Sequence, residues 1–203
     1  IASTFLTLDG VMQAPPADPR RTSTGGFGLG GWSVNFWDEH MNQTMGETMG
    51  APFDLVLGAA HLRHLRRALA ACHRGGRRHT PLNEATKYVA SRQRPPALEW
   101  QNSVLLDDDV PAAIAALKET DGPPELQVLG SADLLQTLMR HDLIDEYLLW
   151  TFPVLVGTGK RLFADGVVPT NLELVTSSVS TTGVVIGTYR PAGAVTVGSF
   201  ALE

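Results

Sequence analysis

The segment LQVLGSADLLQTLMRHD, residues 126–142, joins an apolar run to a helical pattern with almost no connecting loop. The run Leu126–Gly130 predicts a buried strand, and a helix is predicted to start at once from Ser131. A strand that passes directly into a helix is typical of a parallel sheet, because parallel neighbours need a crossover connection. This unit therefore favours an α/β fold over an all-helical or all-strand fold.

Strand and helix patterns alternate along the remaining chain in the same way. Further strands are predicted at STFLTL, FDLVLG, TKYVAS, SVLL and DEYLLWTFPVLVG, and helices at DEHMNQTMGETM and DVPAAIAALKE. Asp38 is expected to cap the first of these helices, and Pro153 to interrupt or bend the long strand. NLELVTSSVS and VVIGTYRP predict a hairpin across TTG, and AVTVGSFAL predicts a last edge strand. We expect one domain over residues 1–203, with a mostly parallel central sheet, a C-terminal antiparallel hairpin and helices on both faces.

Composition narrows the classes of function. The net charge is −5 over 203 residues, so the chain as a whole is not built to bind nucleic acid. The single cysteine, Cys72, excludes an internal disulfide and fits a reducing cytoplasm. No apolar run is long enough to predict a membrane span, and IASTFLTLDG lacks the basic start of a signal peptide. We therefore expect a cytoplasmic protein without membrane contact; because Ile1 already lies in a predicted strand, native residues are expected before it.

Small and polar residues follow three of the predicted strands. They are Gly130, Ser131, Ala132 and Asp133 after LQVL, Gly58 at the end of FDLVLG, and Ser91 and Arg92 after TKYVA. Helix N-termini admit phosphate, and a hydroxyl beside a guanidinium suits a phosphate monoester. Taken singly, the Gly-Ser turn is better explained as a tight turn with a Ser cap, and Arg92 as a solvated charge. Together, at the carboxyl ends of strands in one sheet, these sites predict binding of a phosphate-rich nucleotide.

A second group of candidates borders the first and the longest strands. Asp9 and Gly10 leave the first strand, where Asp9 would either hydrogen-bond a polar substrate or form an Asx turn. A Gly- and Pro-rich loop follows, of a length usually found in functional loops. In FPVLVGTGKRLF, irregular backbone and charge are supplied by Pro153, Gly157, Gly159, Lys160 and Arg161. A binding site and a bulge followed by a turn explain this segment about equally well.

The stretch LGAAHLRHLRRALAACHRGGRRHTPLN, residues 57–83, is the most unusual part of the chain. It holds six Arg and four His but no acidic residue, whereas the rest of the chain carries a net charge of −11. As a helix, it places on one face Leu62, Leu65, Leu69 and Cys72. Its basic side then suits RNA, a membrane surface or simply solvent. The candidate metal ligands are His61, His64 and Cys72, although no standard zinc spacing is present.

Five stretches, in this order, resemble the riboflavin-biosynthesis reductase C-terminal domain family. They are STFLTLDGVM, GGFGLGGW, TKYVASR, LQVLGSADLLQTLMRHDLIDEYLLWTFPVLVGTGKRLF and GVVIGTYRP. The resemblance covers nearly the whole chain and is most specific from Leu126 to Phe163. It implies the dihydrofolate-reductase fold with eight or nine strands, NADPH as cofactor, reduction of a small-molecule substrate, and commonly a homodimer. The chain looks like the shorter, stand-alone branch, whose substrates are mostly unassigned.

The resemblance also implies roles for individual residues. Matching the family's cofactor contacts are Gly58, Ser91, Arg92, Gly130, Ser131 and Ala132, with Ser91 and Arg92 at the adenosine 2′-phosphate; Asp133 follows in the same turn as a further candidate for cofactor binding. Matching the substrate cleft are Asp9, Gly10, Pro153 and Gly157. Asp9 and Asp38 are the acids best placed to supply a proton, and a bound water is the alternative. No metal is expected.

Two departures from the family pattern bear on function. Leu129 stands where enzymes that reduce the riboflavin precursor usually carry Glu, which weakens an assignment to riboflavin synthesis itself. After Gly58 the family has a Thr-Tyr-Asp/Glu turn and a helix with Trp-Pro near its end, and both are missing here. With suitably chosen codons, residues 61–80 read one base later give TYDIFAAHWPHVTEEDAAT, which contains these features. We hypothesise two compensating frame errors that bracket Ala59 to Thr80, either in the gene or in its translation on paper.

Three classes of function follow. The first is an NADPH-dependent reductase that positions the nicotinamide for hydride transfer to a flat, pterin- or pyrimidine-like heterocycle near Asp9 and Pro153. The second is a non-catalytic nucleotide-binding protein that kept the fold, which Leu129 and the altered segment after Gly58 favour. The third is nucleic-acid binding through the Arg-rich stretch, which the negative charge of the remaining chain disfavours.

Overall fold

An eight-stranded sheet forms the centre of the computed structural model, which describes residues 1–13, 27–72, 80–93, 98–120, 122 and 125–200. The strands are β1 (Ala2–Thr7), β2 (Asp54–Gly58), β3 (Lys87–Ala90), β4 (Ser103–Leu105), β5 (Leu126–Leu129), β6 (Tyr147–Phe152), β7 (Leu172–Val179) and β8 (Val185–Pro191). The helices are α1 (Glu39–Thr48), α2 (Ala59–Cys72), α3 (Thr80–Glu84), α4 (Val110–Lys118) and α5 (Ala132–Arg140), with a 3-10 turn at Val34–Phe36. For residues 68, 70–72 and 80 only the backbone is described.

The strand order is β4-β3-β2-β5-β1-β6-β8-β7. The pairs from β4 to β6 are parallel, whereas β8 runs antiparallel to both β6 and β7. The carboxyl ends of the six parallel strands therefore lie at one edge of the sheet, here named the carboxyl edge. This topology confirms the predicted mostly parallel sheet with a C-terminal antiparallel hairpin.

Alternating side chains bury both faces of the sheet. In β2, Leu55 and Leu57 pack in one cluster with Leu62 of α2, whereas Val56 packs on the opposite side with Leu135 of α5. Successive strand side chains point to opposite faces, so a strand that is apolar throughout needs helices on both sides. The structure has them, and it confirms the predicted layers.

The helix α1 illustrates how local sequence fixes an element. Asp38 occupies the N-cap position, and its carboxylate accepts a hydrogen bond from the backbone N–H of Met41 at 2.9 Å, as predicted. Met41 is fully buried against the sheet. In the described part of the chain, no helix combines the length and the apolar character needed to cross a membrane.

Two expectations for irregular segments had different outcomes. Of the predicted loop at residues 9–32, residues 14–26 lie outside the described part; the indole N–H of Trp32 donates to the carbonyl of Gln13 at 3.1 Å and joins its two ends. The predicted last strand is wrong for residues 194–200, which form no strand. The described residues 194–200 form no ladder with a neighbouring strand, so the alternating pattern finds no partner strand, and Val197 stays 97% exposed.

Candidate active site

The turn between β5 and α5 has an unusual backbone at the carboxyl edge. Gly130 and Ser131 both lie in the left-handed region, with φ of 61° and 63°. Glycine adopts this conformation freely, whereas it costs a residue with a Cβ on the order of 1 kcal/mol. Because α5 begins at Ala132, the turn brings the first backbone N–H groups of the helix to this edge, where they favour an anion.

Ser131 joins this turn to the end of β2. Its hydroxyl oxygen accepts a hydrogen bond from the backbone N–H of Gly58 at 3.1 Å and makes no capping bond to α5. A Ser cap, one of the predicted explanations, is therefore wrong, because N-cap residues that accept such bonds are normally extended and Ser131 is left-handed. The exits of β2 and β5, which the sequence suggested as separate sites, form one hydrogen-bonded structure.

The imidazole of His61, in the first turn of α2, lies against Gly130. A Cβ on Gly130 would come within 2.8 Å of the Cε1 atom of His61. Burial, with a smaller contribution from His64, lowers the pKa of His61 to about 4, so its ring is neutral at physiological pH. His61 thus fills the space that the missing side chain of Gly130 leaves open.

Three charged side chains from three strand exits meet beside the turn. One carboxylate oxygen of Asp133 lies 2.8 Å from Nζ of Lys160, and the other lies 3.8 Å from Nη2 of Arg92. The hydrogen bond from Lys160, followed by the charges of Lys160 and Arg92, lowers the pKa of Asp133. Asp133 is therefore ionised. We name these three residues the charge cluster.

Ser91 stands between β3 and Arg92 without joining the charge cluster. Its hydroxyl donates to the carbonyl of Gln93 and accepts from the backbone N–H of the same residue at 3.3 Å. These bonds form a local turn around Arg92. The predicted contact of Ser91 with a phosphate stays a prediction.

Asp9 fixes the segment after β6 to the end of β1. Its carboxylate accepts hydrogen bonds from the hydroxyl of Thr7 at 2.5 Å and from the backbone N–H groups of Gly157 at 2.8 Å and Val156 at 3.3 Å. These bonds, led by the one from Thr7, lower the pKa of Asp9. An ionised carboxylate whose lone pairs are engaged in this way suits a positioning group better than a proton donor.

Backbone pairing holds Lys160 next to the same strand exit. The N–H of Met12 donates to the carbonyl of Lys160 at 2.8 Å, and the N–H of Leu162 donates to the carbonyl of Gly10 at 3.2 Å. The N–H of Lys160 donates in turn to the side chain of Gln13 at 3.1 Å. The base of Lys160 is thus fixed, although its side chain reaches toward α5.

The predicted substrate contacts separate into two groups. A Cβ on Gly10 or on Gly157 would meet nothing within 4 Å, so both glycines border open space beside Asp9. Their φ values of 80° and 74° require glycine-like backbone. Pro153 ends β6 as predicted, but its ring lies near the β7–β8 turn, 3.6 Å from the position of a Cβ on Gly183.

Asp38 has a structural role that the sequence did not predict beyond the cap. One carboxylate oxygen caps α1, and the other accepts hydrogen bonds from the backbone N–H and the hydroxyl of Thr181 at 2.7 and 2.6 Å. The hydrogen bond from the Thr181 side chain is the main cause of its lowered pKa. Asp38 thereby ties α1 to the β7–β8 turn, and its role as an acid stays a prediction.

The Arg-rich stretch folds as α2 over residues 59–72. Leu62 and Leu69 are buried as the helical pattern predicted, Arg63 is exposed, and Arg66 forms an ion pair with Glu99. Among the described residues, no group of three His, Cys, Asp or Glu could hold a metal ion. The side chain of Cys72 and residues 73–79 lie outside the described part, so the candidate ligand Cys72 is not placed.

Two positioning residues, Thr7 and Thr181, carry no recognisable motif. Thr7 is buried and bridges Asp9 and the backbone N–H of Val11, which accounts for a buried hydroxyl at the end of β1. Thr181 lies in the TTG turn, where its partner is 143 residues away. The position of Thr7, two residues before Asp9 in a predicted buried strand, could have indicated its role. Nothing in the local sequence indicated the role of Thr181.

Comparison with known proteins identifies the family. The model of the RibD C-terminal domain matches residues 1–186. YyaP, an uncharacterised protein of Bacillus subtilis strain 168, is 33% identical over 105 residues, which are 51% of this chain and 54% of that protein. The chain spans about half the length of the curated relatives it matches.

Two solved structures share the fold. A pyrimidine reductase-like protein from Corynebacterium diphtheriae has a TM-score of 0.60 and 14% identity, with 94% of this chain and 90% of that chain covered. Dihydrofolate reductase from Enterococcus faecalis, complexed with NADP(H), has a TM-score of 0.54 and 13% identity, with 94% of both chains covered. These likenesses confirm the predicted dihydrofolate-reductase-like fold. Together with a family model that matches residues 1–186, they lead to one conclusion: the chain belongs to the RibD C-terminal domain family.

Proposed function

We propose that the chain is an NADPH-dependent reductase that transfers hydride to a small conjugated heterocycle of the pterin or pyrimidine type. The family is one of reductases, which supports the reaction class. The observation that carries the proposal is the meeting of the Gly130–Ser131 turn with Arg92 and Lys160 at the carboxyl edge. Ligands of open α/β sheets bind at this edge.

The groups at the turn fit the phosphates of a dinucleotide. Arg92 offers a planar fork of donors, Lys160 a compact charge, and the start of α5 its free backbone N–H groups. The ring of His61 lies against Gly130, so it must move aside before a ligand can approach this backbone. When bound, the cofactor supplies the hydride, and the residues of the chain bind and orient it.

The substrate side of the proposal rests on the open space beside Gly10 and Gly157. Asp9 keeps the segment around Gly157 in place, so the two glycines line a fixed gap at the end of β1. A flat ring can approach glycine backbone more closely than any side chain would allow. Because Asp9 and Asp38 are held as carboxylates, we assign the proton to a bound water.

Fluorescence titration tests the cofactor assignment. We expect the protein to bind NADPH, and Arg92→Met to weaken NADPH roughly tenfold while leaving NADH unchanged, because a charge-assisted hydrogen bond to the 2′-phosphate is lost. Arg140→Met, in the last turn of α5, is the matched control and should leave both affinities unchanged. Equal losses for the two cofactors would refute the assignment of Arg92, and no binding of either would refute the function.

A non-catalytic nucleotide-binding protein is the second candidate. The observation that favours it is that the hydrogen bonds of Asp9 and Asp38 keep both carboxylates ionised, so neither is arranged as a proton donor. Oxidation of NADPH in the presence of pterins and pyrimidines separates the two candidates. Turnover supports the reductase, whereas tight binding without turnover of any of these compounds supports the binding protein.

We further propose a homodimer that covers β7. This edge strand has eight residues, only Glu173 among them is charged, and Leu174 and Val175 are 51% and 40% exposed. A long edge strand with little charge and exposed apolar side chains is a template for association unless a partner covers it. Light scattering should show a dimer that Leu174→Lys converts to a monomer. Val104→Lys, on the opposite edge strand β4, should leave the dimer intact.

A further inference from the structure

We propose that Asp133 is an internal competitor of the cofactor phosphate: its carboxylate holds Arg92 and Lys160 until a phosphate group displaces it. The inference rests on the proposed cofactor site and adds to it a residue whose charge opposes binding. It concerns affinity and its dependence on charge, and it requires no change in the fold.

The geometry shows that one carboxylate engages both cations. The two oxygens of Asp133 are divided between them, one at 2.8 Å from Nζ of Lys160 and the other at 3.8 Å from Nη2 of Arg92. Asp133 is also the second residue of α5, where the partial positive charge of the helix start favours an anion. The two cations and the helix start are the groups that a phosphate would use; Asp133 pairs with both cations and lies in the first turn of the helix.

Because the three side chains of the charge cluster are exposed, a phosphate group can displace the Asp133 carboxylate. The side chains of Arg92, Asp133 and Lys160 are 89%, 58% and 57% exposed. Exposed ion pairs contribute little to stability, because water and salt screen them. A phosphate group carries more charge and more acceptor oxygens than a carboxylate, so it outcompetes Asp133 for the same donors.

The backbone contacts of Lys160 and Asp133 indicate which side chain moves when a phosphate binds. Lys160 is anchored by hydrogen bonds of its own carbonyl and N–H, to Met12 and Gln13. Asp133 is fixed only through its place in α5, and its side chain can rotate away from both cations without breaking the helix. Displacement therefore costs a rotamer change of one exposed side chain and two weak ion pairs.

The test is calorimetric titration of the full chain with inorganic pyrophosphate. Asp133→Asn keeps the size of the side chain and removes its charge; we expect it to bind pyrophosphate roughly three- to tenfold more tightly than the unmodified chain. Asp142→Asn, an exposed position just beyond the other end of α5, removes the same charge and should change the affinity less than about twofold. Lys160→Met in the Asp133→Asn background should abolish the gain.

Equal or weaker binding of pyrophosphate by Asp133→Asn, or no binding by that variant, overturns the proposal. A parallel titration with NADPH separates this outcome from a failure of the proposed function. If pyrophosphate binding tightens but neither form binds NADPH, the competition stands and the function fails. If NADPH binds and pyrophosphate binding does not tighten, the function stands and the competition fails.

Discussion

The β5–α5 and β2–α2 units occupy equivalent places in the fold but differ in chemistry. Their strands, β2 and β5, are parallel neighbours in the sheet, and each strand leads into its helix at the carboxyl edge. In α5 an acid, Asp133, lies in the first turn and a base, Arg140, in the last. In α2 neither end carries such a residue. The two helices thus share a position without sharing the charge pattern that stabilises helix ends.

The difference shows that an amphipathic pattern is enough to form a helix on the sheet, whereas a binding site requires particular residues in its first turn. An apolar face that includes Leu62 and Leu69 is enough to place α2 on the sheet. The first turn of α2, however, presents His61, whose ring fills the space above Gly130. The fold tolerates this sequence, whereas a phosphate site at the end of β2 requires particular groups in that turn.

The largest test asks whether α2 has the printed sequence at all. The hypothesis of two frame errors predicts TYDIFAAHWPHVTEEDAAT in place of residues 61–79. Peptide mapping with an intact mass decides between the two sequences. A tryptic peptide that contains the printed residues 68–74 would end the hypothesis that the printed sequence is a misreading, and a peptide that contains Trp-Pro would remove the contrast between the two units.

A double-mutant cycle tests the contact between the two units. Gly130→Ala should lower the free energy of unfolding by about 3 kcal/mol, since a left-handed alanine is strained and its Cβ clashes with His61. In a His61→Ala background the cost should fall to about 1–2 kcal/mol, because only the backbone strain remains. Urea unfolding of the four proteins gives these values. Equal costs in both backgrounds would show that His61 does not contact Gly130.

The pH dependence of stability tests the burial of His61. The folded pKa of about 4 lies below the usual 6.5, so the unfolded chain binds more protons between these values. Stability should therefore fall as the pH falls from about 6.5 toward 4, by about 2 kcal/mol for this partly buried ring. Urea midpoints across this range, with His61→Gln, measure it. His141→Gln serves as the exposed control, and an unchanged slope in His61→Gln would contradict the assignment.

The smallest effect concerns the bridge from Ser131 to Gly58. Ser131→Ala removes the acceptor of the Gly58 N–H and should cost about 1 kcal/mol of unfolding free energy. Ser131→Gly loses the same bond but relieves the left-handed strain, by about 1 kcal/mol, so its net effect should be near zero. Thermal or urea unfolding compares the two. Equal losses of unfolding free energy in the two variants would show that the left-handed conformation of Ser131 carries no strain.

Local patterns were sufficient for most elements because their causes are local. The cap at Asp38, the break at Pro153 and the apolar run of β2 each depend on residues within a few positions. The prediction of the last strand was wrong because a local pattern does not show whether a partner strand is present. The pattern of AVTVGSFAL is that of a strand, but a strand also needs a neighbour, and the described tail has none.

The site was predictable as a set of strand exits, but its contacts were not. The sequence placed Asp9, Gly58, Arg92 and Gly130 at the ends of strands, and parallel topology brings such ends to one edge. It did not indicate that Ser131 bonds to Gly58, that Asp133 bridges two cations, or that Asp9 holds a loop 147 residues away. Each of these contacts joins segments far apart in the chain.

The sequence by itself determined the α/β class and the positions of small and charged residues at strand ends, because periodicity and turn chemistry act over a few residues. The family followed from the resemblance of whole stretches to known sequences. Only the tertiary structure decided what those residues do. In the fold, Asp9 and Asp38 each hold a distant backbone segment by hydrogen bonds. The ring of His61 packs against Gly130, and Asp133 pairs with Arg92 and Lys160. The physical reason is that hydrogen bonds and ion pairs act over a few ångströms, and only the fold brings distant segments that close.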